Sequence, residues 1–149
     1  MGIWIEEGHR GSFRNLAPSQ QPLIIFSVPL PERQLISQIR RLVLKKSRTR
    51  KVIRQSAGVI AGIGDDCAVL RIPKGHEILL TTDFSLEGVH FRREWHSPGF
   101  IGHRCLTRGL SDIAAMGGEP VAVFLSLALP ARTSQPWVDG FLGGLLRLA

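Results

Sequence analysis

Two short stretches, IGDDCAVL and LLTTDFSLEGVHF, carry the side chains with the most obvious chemistry in this sequence. The first sets Asp65 and Asp66 side by side, and the second places Thr81, Thr82 and Asp83 at the end of an apolar run. Carboxylates crowded this closely repel one another and resist burial unless a cation compensates them. Carboxylates combined with hydroxyls and carbonyls are hard oxygen donors. They suit Mg²⁺, which takes one or two carboxylates and leaves its other positions to water and phosphate oxygens. The chemistry indicated is that of a nucleotide. A plainer reading of the same residues stays open: GDD as a polar turn, and TTD as a strand end followed by a helix cap.

The elements that would position these groups follow from periodicity. The segment PERQLISQIRRLVLKK puts Leu35, Ile39, Leu42 and Val43 on one helical face, with proline and glutamate in the first turn and lysines in the last. CAVLRI and EILLTTD read as strands joined by the turn PKGH and are expected to pair as a hairpin. Such a hairpin sets the start of its first strand beside the end of its second, gathering Asp65, Asp66, Thr81, Thr82 and Asp83 on one rim. FIGHRCLTRGLSDIAAMGG repeats apolar residues at helical spacing until its glycines, with Asp112 in the last turns. PVAVFLSLALP is expected to be a buried strand. SQPWVDGFLGGLLRLA is a helix that opens on a serine, with Trp137, Phe141, Leu145 and Leu148 on one face despite three weakening glycines. The order helix, strand, strand, helix, strand, helix predicts an α+β (mixed α/β) fold, a small sheet covered by helices on one face.

Composition sets the bounds. The chain of 149 residues is 44% hydrophobic, enough for one domain with a core, and its formal net charge of +7 favours anionic partners. The basic stretch from Arg40 to Arg54 has no interleaved aromatic residues, so a solvated connection is expected there and no nucleic-acid partner. The apolar run PLIIFSVPL is too short to cross a bilayer, so no membrane partner is expected. Cys67 and Cys105 have no metal or redox spacing and read as reduced thiols in a cytoplasmic protein. His76, His96, His103, Met116, Trp95 and Trp137 read as structural or solvated. Residues 1–30 show no sustained period and are expected to be a poorly ordered lead-in to a domain spanning 31–149.

GDDCAVL, LLTTDFSLEGVHF and IGHRCLTRGLSDIAAMGGEPVAVFLSLALP, in this order and at these separations, resemble the amino-terminal half of the thiamine-monophosphate kinases. These are a branch of the aminoimidazole-ribonucleotide (AIR) synthetase superfamily, together with the hydrogenase maturation factor and selenide water dikinase. The resemblance implies the amino-terminal domain of the AIR-synthetase-like fold, with the carboxy-terminal domain and a GGDT-like nucleotide segment absent. It implies ATP as co-substrate, thiamine monophosphate as acceptor, and Mg²⁺ held by Asp66, Asp83 and Asp112 with oxygens from Thr81 and Thr82. By the same resemblance His90 contacts the substrate, Asp65 is a supporting carboxylate, Gly88 serves backbone shape, and Glu87 makes a hydrogen bond or salt bridge. It also implies a homodimer through the amino-terminal sheet. The competing expectations are a non-catalytic nucleotide- and metal-binding dimerising fragment, or a superfamily relative with another substrate, of the hydrogenase maturation factor type.

Overall fold

The computed structural model describes residues 3–6, 30–47, 58–64 and 66–149. The first helix, α1 (Glu32–Ser47), starts where the Pro31 carbonyl accepts the amides of Gln34 and Leu35 at 2.8 and 3.0 Å, and Glu32 lies in its first turn. Leu35 and Ile39, one turn apart, are buried, whereas Leu42 and Val43 are exposed. The expected four-residue face is therefore covered only over its first half. A polar lattice fixes this end of α1. Gln38 Nε2 donates to Asp139 Oδ1 at 2.7 Å, and Gln135 Nε2 donates to the same oxygen at 2.8 Å. Gln135 Oε1 in turn accepts the Leu30 amide at 2.9 Å.

Helix α2 (Pro98–Ala115) is capped by the Ser97 hydroxyl, which accepts the Phe100 amide at 3.3 Å, and Pro98 takes a first-turn position where no amide proton is needed. It ends at Gly117, whose φ of +69° lets the chain turn back and donate to Ala114 O. Helix α3 (Gln135–Leu148) follows Ser134, which occupies the N-cap without a side-chain capping bond. Its buried face is Val138, Phe141, Leu142, Gly144 and Leu145. The expected face is corrected by one position: Trp137 is only half-buried and Leu148 is exposed. The cause lies in the glycines. A Cβ on Gly102 would collide with the Phe141 carbonyl, and one on Gly144 would collide with the Gly99 carbonyl. The two backbones touch there, and this contact dictates which side of α3 faces inward.

The strands are short. β2 (Gly58–Ala61) pairs antiparallel with β3 (Val69–Arg71), with an irregularity between Val59 and Ala61, and β1 (Ile3–Glu6) pairs parallel with β4 (Leu127–Pro130). The α+β class matches the sequence reading, but two strand assignments do not. The turn at 73–76 forms, with Gly75 at φ +80° and His76 N donating to Pro73 O, yet β3 pairs back with β2. Residues 77–83 join no ladder; they lie along α2 instead. Of PVAVFLSLALP only Leu127–Pro130 is strand, and Val121, Val123 and Phe124 are exposed. Most of the expected lead-in lies outside the described residues, while Ile3–Glu6 within it is a strand. The core is the cluster of Leu35, Ile39, Ile101, Leu106, Leu129, Val138, Phe141, Leu142 and Leu145.

Gly102→Ala should destabilise the fold by about 1–3 kcal/mol, because no side-chain rotation relieves a clash with backbone. Gly143→Ala, whose Cβ would meet only Arg147 Nη1 at 3.7 Å, should be neutral or stabilising by up to about 1 kcal/mol through helix propensity. Urea denaturation of both variants checks the contrast; equal losses would refute the backbone-contact explanation.

Candidate functional site

The LLTTDFSLEGVHF segment is laid antiparallel along α2, odd positions inward. The Leu79 side chain packs where Gly118 and Ile113 meet. Two residues on, the Thr81 hydroxyl donates to Asp112 Oδ2 at 2.7 Å. Asp83 Oδ1 accepts from Arg108 Nη2 at 2.9 Å, and the Phe84 carbonyl accepts from Arg108 Nη1 at 2.8 Å. Ser85, His90 and Phe91 then meet Ile101, Arg104 and Cys105 around a cavity of about 10 Å³. An extended chain alternates its side chains, so Leu80, Thr82 and Phe84 face away from the helix and are exposed.

Beyond this run the chain makes a single tight loop. Gly88 has φ +80° and donates its amide to Phe91 O at 2.8 Å, a conformation that suits glycine. His90 closes the loop twice: its amide donates to Leu86 O at 2.8 Å, and its Nδ1 accepts the Leu86 amide at 3.0 Å. An accepting Nδ1 leaves Nε2 to carry the proton of the neutral ring. Glu87 forms an ion pair with Arg93 at 2.9 Å. The Arg93 guanidinium also lies over the Trp137 ring at 4.5 Å and reaches the hydroxyl of buried Thr133 at 3.5 Å. The loop is thus tied to the start of α3 through one cation.

The sequence-derived site is brought together only in part. Thr81, Asp83 and Asp112 share one edge of α2, with His90 farther toward its N-terminus. Thr82 lies on the opposite side of the segment. Asp66 is exposed on the connection between β2 and β3, and Asp65 lies outside the described residues. The expected hairpin rim does not form, because β3 takes β2 as its partner. Among the described residues, no three His, Cys, Asp or Glu side chains stand close enough to hold a metal ion. The oxygen donors have the right chemistry for Mg²⁺, but the arrangement does not fit one: Asp83 is engaged by Arg108, Asp112 by Thr81, and Asp66 is not with them.

Sequence reasoning missed Arg108 and Arg93. The signal for Arg108 was its position one turn before Asp112, so that both face the same neighbouring segment. Arg93 carried no such mark; only the fold brings it to Glu87 and Trp137.

Comparison with known proteins finds relatives by sequence. The thiamine-monophosphate kinase of Synechococcus elongatus is 39% identical over 84 residues, 56% of this chain and 26% of that protein. That of Salmonella typhimurium is 39% identical over 90 residues, 60% of this chain and 27% of the relative. That of Bacillus subtilis is 37% identical over 103 residues, 69% and 31% respectively. The chain therefore spans about a quarter to a third of the length of these curated relatives. No solved structure matches it. Among the described residues, no helix is long and apolar enough to cross a membrane. The family model for the AIR synthase related protein, N-terminal domain, matches residues 64–149, more than half of the sequence, and the chain belongs to that family.

Proposed function

We propose that this chain serves ATP-dependent phosphoryl transfer to thiamine monophosphate, giving thiamine diphosphate and ADP. The observation that carries the reading is the register of residues 79–91 on α2, which gathers Thr81, Asp83 and Asp112 on one edge and sets His90 beyond them. Relatives bearing the name thiamine-monophosphate kinase support it at 35–39% identity.

In the proposed reaction an ionised phosphate oxygen of thiamine monophosphate attacks the γ-phosphorus of ATP. One P–O bond forms, the bond to the β,γ-bridging oxygen breaks, and that oxygen leaves with its electron pair on ADP. The nucleophile is already charged, so no strong general base is needed, and catalysis rests on positioning and charge neutralisation. His90, whose Nδ1 accepts the Leu86 amide and leaves the proton on Nε2, is proposed to donate to the acceptor substrate. The net charge of +7 favours the approach of both polyanions. Thr81, Asp83 and Asp112 are proposed as the polar groups that line the edge where the phosphates lie, and no metal is assigned to them or to Asp66, because their arrangement does not fit one.

A homodimer belongs to the same proposal. Leu80 at 74%, Phe84 at 78% and Phe124 at 60% exposure lie on two segments that have no ladder partner among the described residues. Apolar surface of this kind beside unpaired backbone favours addition of another chain. Sedimentation equilibrium at micromolar concentration should give twice the chain mass, and a monomer would count against the dimer.

Thiamine diphosphate formation from ATP and thiamine monophosphate, read by thiochrome fluorescence after chromatography, tests the activity. Asp83→Asn and Asp112→Asn should each lower turnover by about 10²-fold or more with unchanged circular dichroism; near-normal turnover removes that carboxylate from the site, and an inactive wild-type chain overturns the kinase reading for it. His90→Ala should weaken thiamine monophosphate binding about tenfold by calorimetry while leaving ATP affinity unchanged, the size expected for one lost hydrogen bond to a charged group.

A further inference from the structure

Glu87 and Arg93 stand three residues before and three residues after His90, and their ion pair closes the loop between them. Inside it, the Gly88 amide donates to Phe91 O and the Leu86 amide donates to His90 Nδ1, so the backbone of the loop decides which ring nitrogen is left to donate. These bonds shape the loop without joining it to a helix. Arg93 makes that join. Its guanidinium lies 4.5 Å over the ring of Trp137 in the first turn of α3, and Trp137 stacks on the core residue Phe141 with ring centroids 5.7 Å apart. Its Nη1 reaches the hydroxyl of Thr133, buried just before the same helix, at 3.5 Å.

We infer that Arg93 is a positioning residue for His90: its positive charge, shared between Glu87 and the Trp137 ring, holds the 86–91 loop against the start of α3 and so keeps the histidine where it can donate from Nε2. The inference rests on the proposed contact of His90 with thiamine monophosphate and adds to it the residue that orients the ring. The contacts depend on charge more than on the shape of a guanidinium. Glu87 Oε2 lies 2.9 Å from Arg93 Nε without the alignment of a hydrogen bond, and the Thr133 contact is longer than an ordinary one. Attraction to a carboxylate and to the negative face of an aromatic ring both follow the charge of the cation. Another cation on a stem of similar length would therefore serve, and a neutral side chain of similar shape would not. The Nε atom is shielded from solvent, so salt screens the pair less than it would at an open surface. The Glu87 side chain is 41% exposed, so removing its charge opens no cavity.

Calorimetric titration of the full chain with thiamine monophosphate, and separately with ATP, reads this without turnover. Arg93→Gln should weaken thiamine monophosphate binding by roughly three- to tenfold, and by no more than His90→Ala does, with ATP affinity unchanged. Arg93→Lys should restore most of the loss, because lysine supplies the charge to both Glu87 and the ring. Arg93→Gln combined with His90→Ala should bind no more weakly than His90→Ala alone, since a residue that acts through the histidine then has nothing left to position. Should Arg93→Gln fold poorly by circular dichroism, Glu87→Gln releases the same tether from its exposed end and should weaken binding in the same direction. With His90→Ala weakened, three results each overturn the positioning role and leave the His90 contact standing: losses that add in the double variant, equal losses in the lysine and glutamine variants, or wild-type affinity in folded Arg93→Gln. Unchanged thiamine monophosphate affinity in His90→Ala, or no binding by the wild-type chain at millimolar ligand, overturns the contact and the positioning role together.

Discussion

The backbone contact between α2 and α3 is the constraint on which the rest of this structure depends. At Gly102 and Gly144 there is no room for a Cβ, and the carbonyls of Phe141 and Gly99 stand where side-chain atoms would otherwise be. Glycine in a helix weakens it by roughly 1 kcal/mol per residue relative to alanine. Here that loss is offset by an approach that larger residues forbid, which seats Ile101, Leu106, Val138, Phe141, Leu142 and Leu145 in one core. Helix α1 adds Leu35 and Ile39 to the same cluster, and the Gln38, Gln135 and Asp139 lattice fixes its angle of entry. With α2 fixed, its outer side becomes the rail on which the signature segment lies.

Much of this was legible in the sequence. The helices were readable because capping and apolar period agree along each of them: Ser97 before α2, Gly117 after it, Pro31 before α1. The buried face of α3 was misread by one position because the glycines were weighed as helix breakers, and not as contact points. Strand partners were harder. CAVLRI and EILLTTD have the composition of a hairpin and a good turn between them, but composition does not name a partner, and helix α2 offers the second segment specific bonds at Thr81 and Asp83. An apolar run such as VAVFL carries no information on whether it is covered within its own chain or by something else.

The candidate site was legible as a set of residues, and not as a geometry. The motifs pick out Asp83, Asp112 and His90, and the fold places them along one helix. Glu87 pairs with Arg93, and Gly88 takes a left-handed turn conformation. Asp66 does not join them, because it belongs to a connection whose strand is paired elsewhere. Arg108 was missed because its pairing with Asp83 and the Phe84 carbonyl depends on which segment lies across from it.

The alternation along residues 79–86 assigns the segment two audiences. Odd-numbered side chains are addressed to α2 and fix register, so they are constrained by the helix whatever the protein meets. Even-numbered ones, Leu80, Thr82 and Phe84, are free of that duty. A sequence drifting under selection can therefore retune its outward surface at alternate positions without disturbing the inward alignment of Thr81 and Asp83: the pleat separates the grammar of the site from the vocabulary of its contacts.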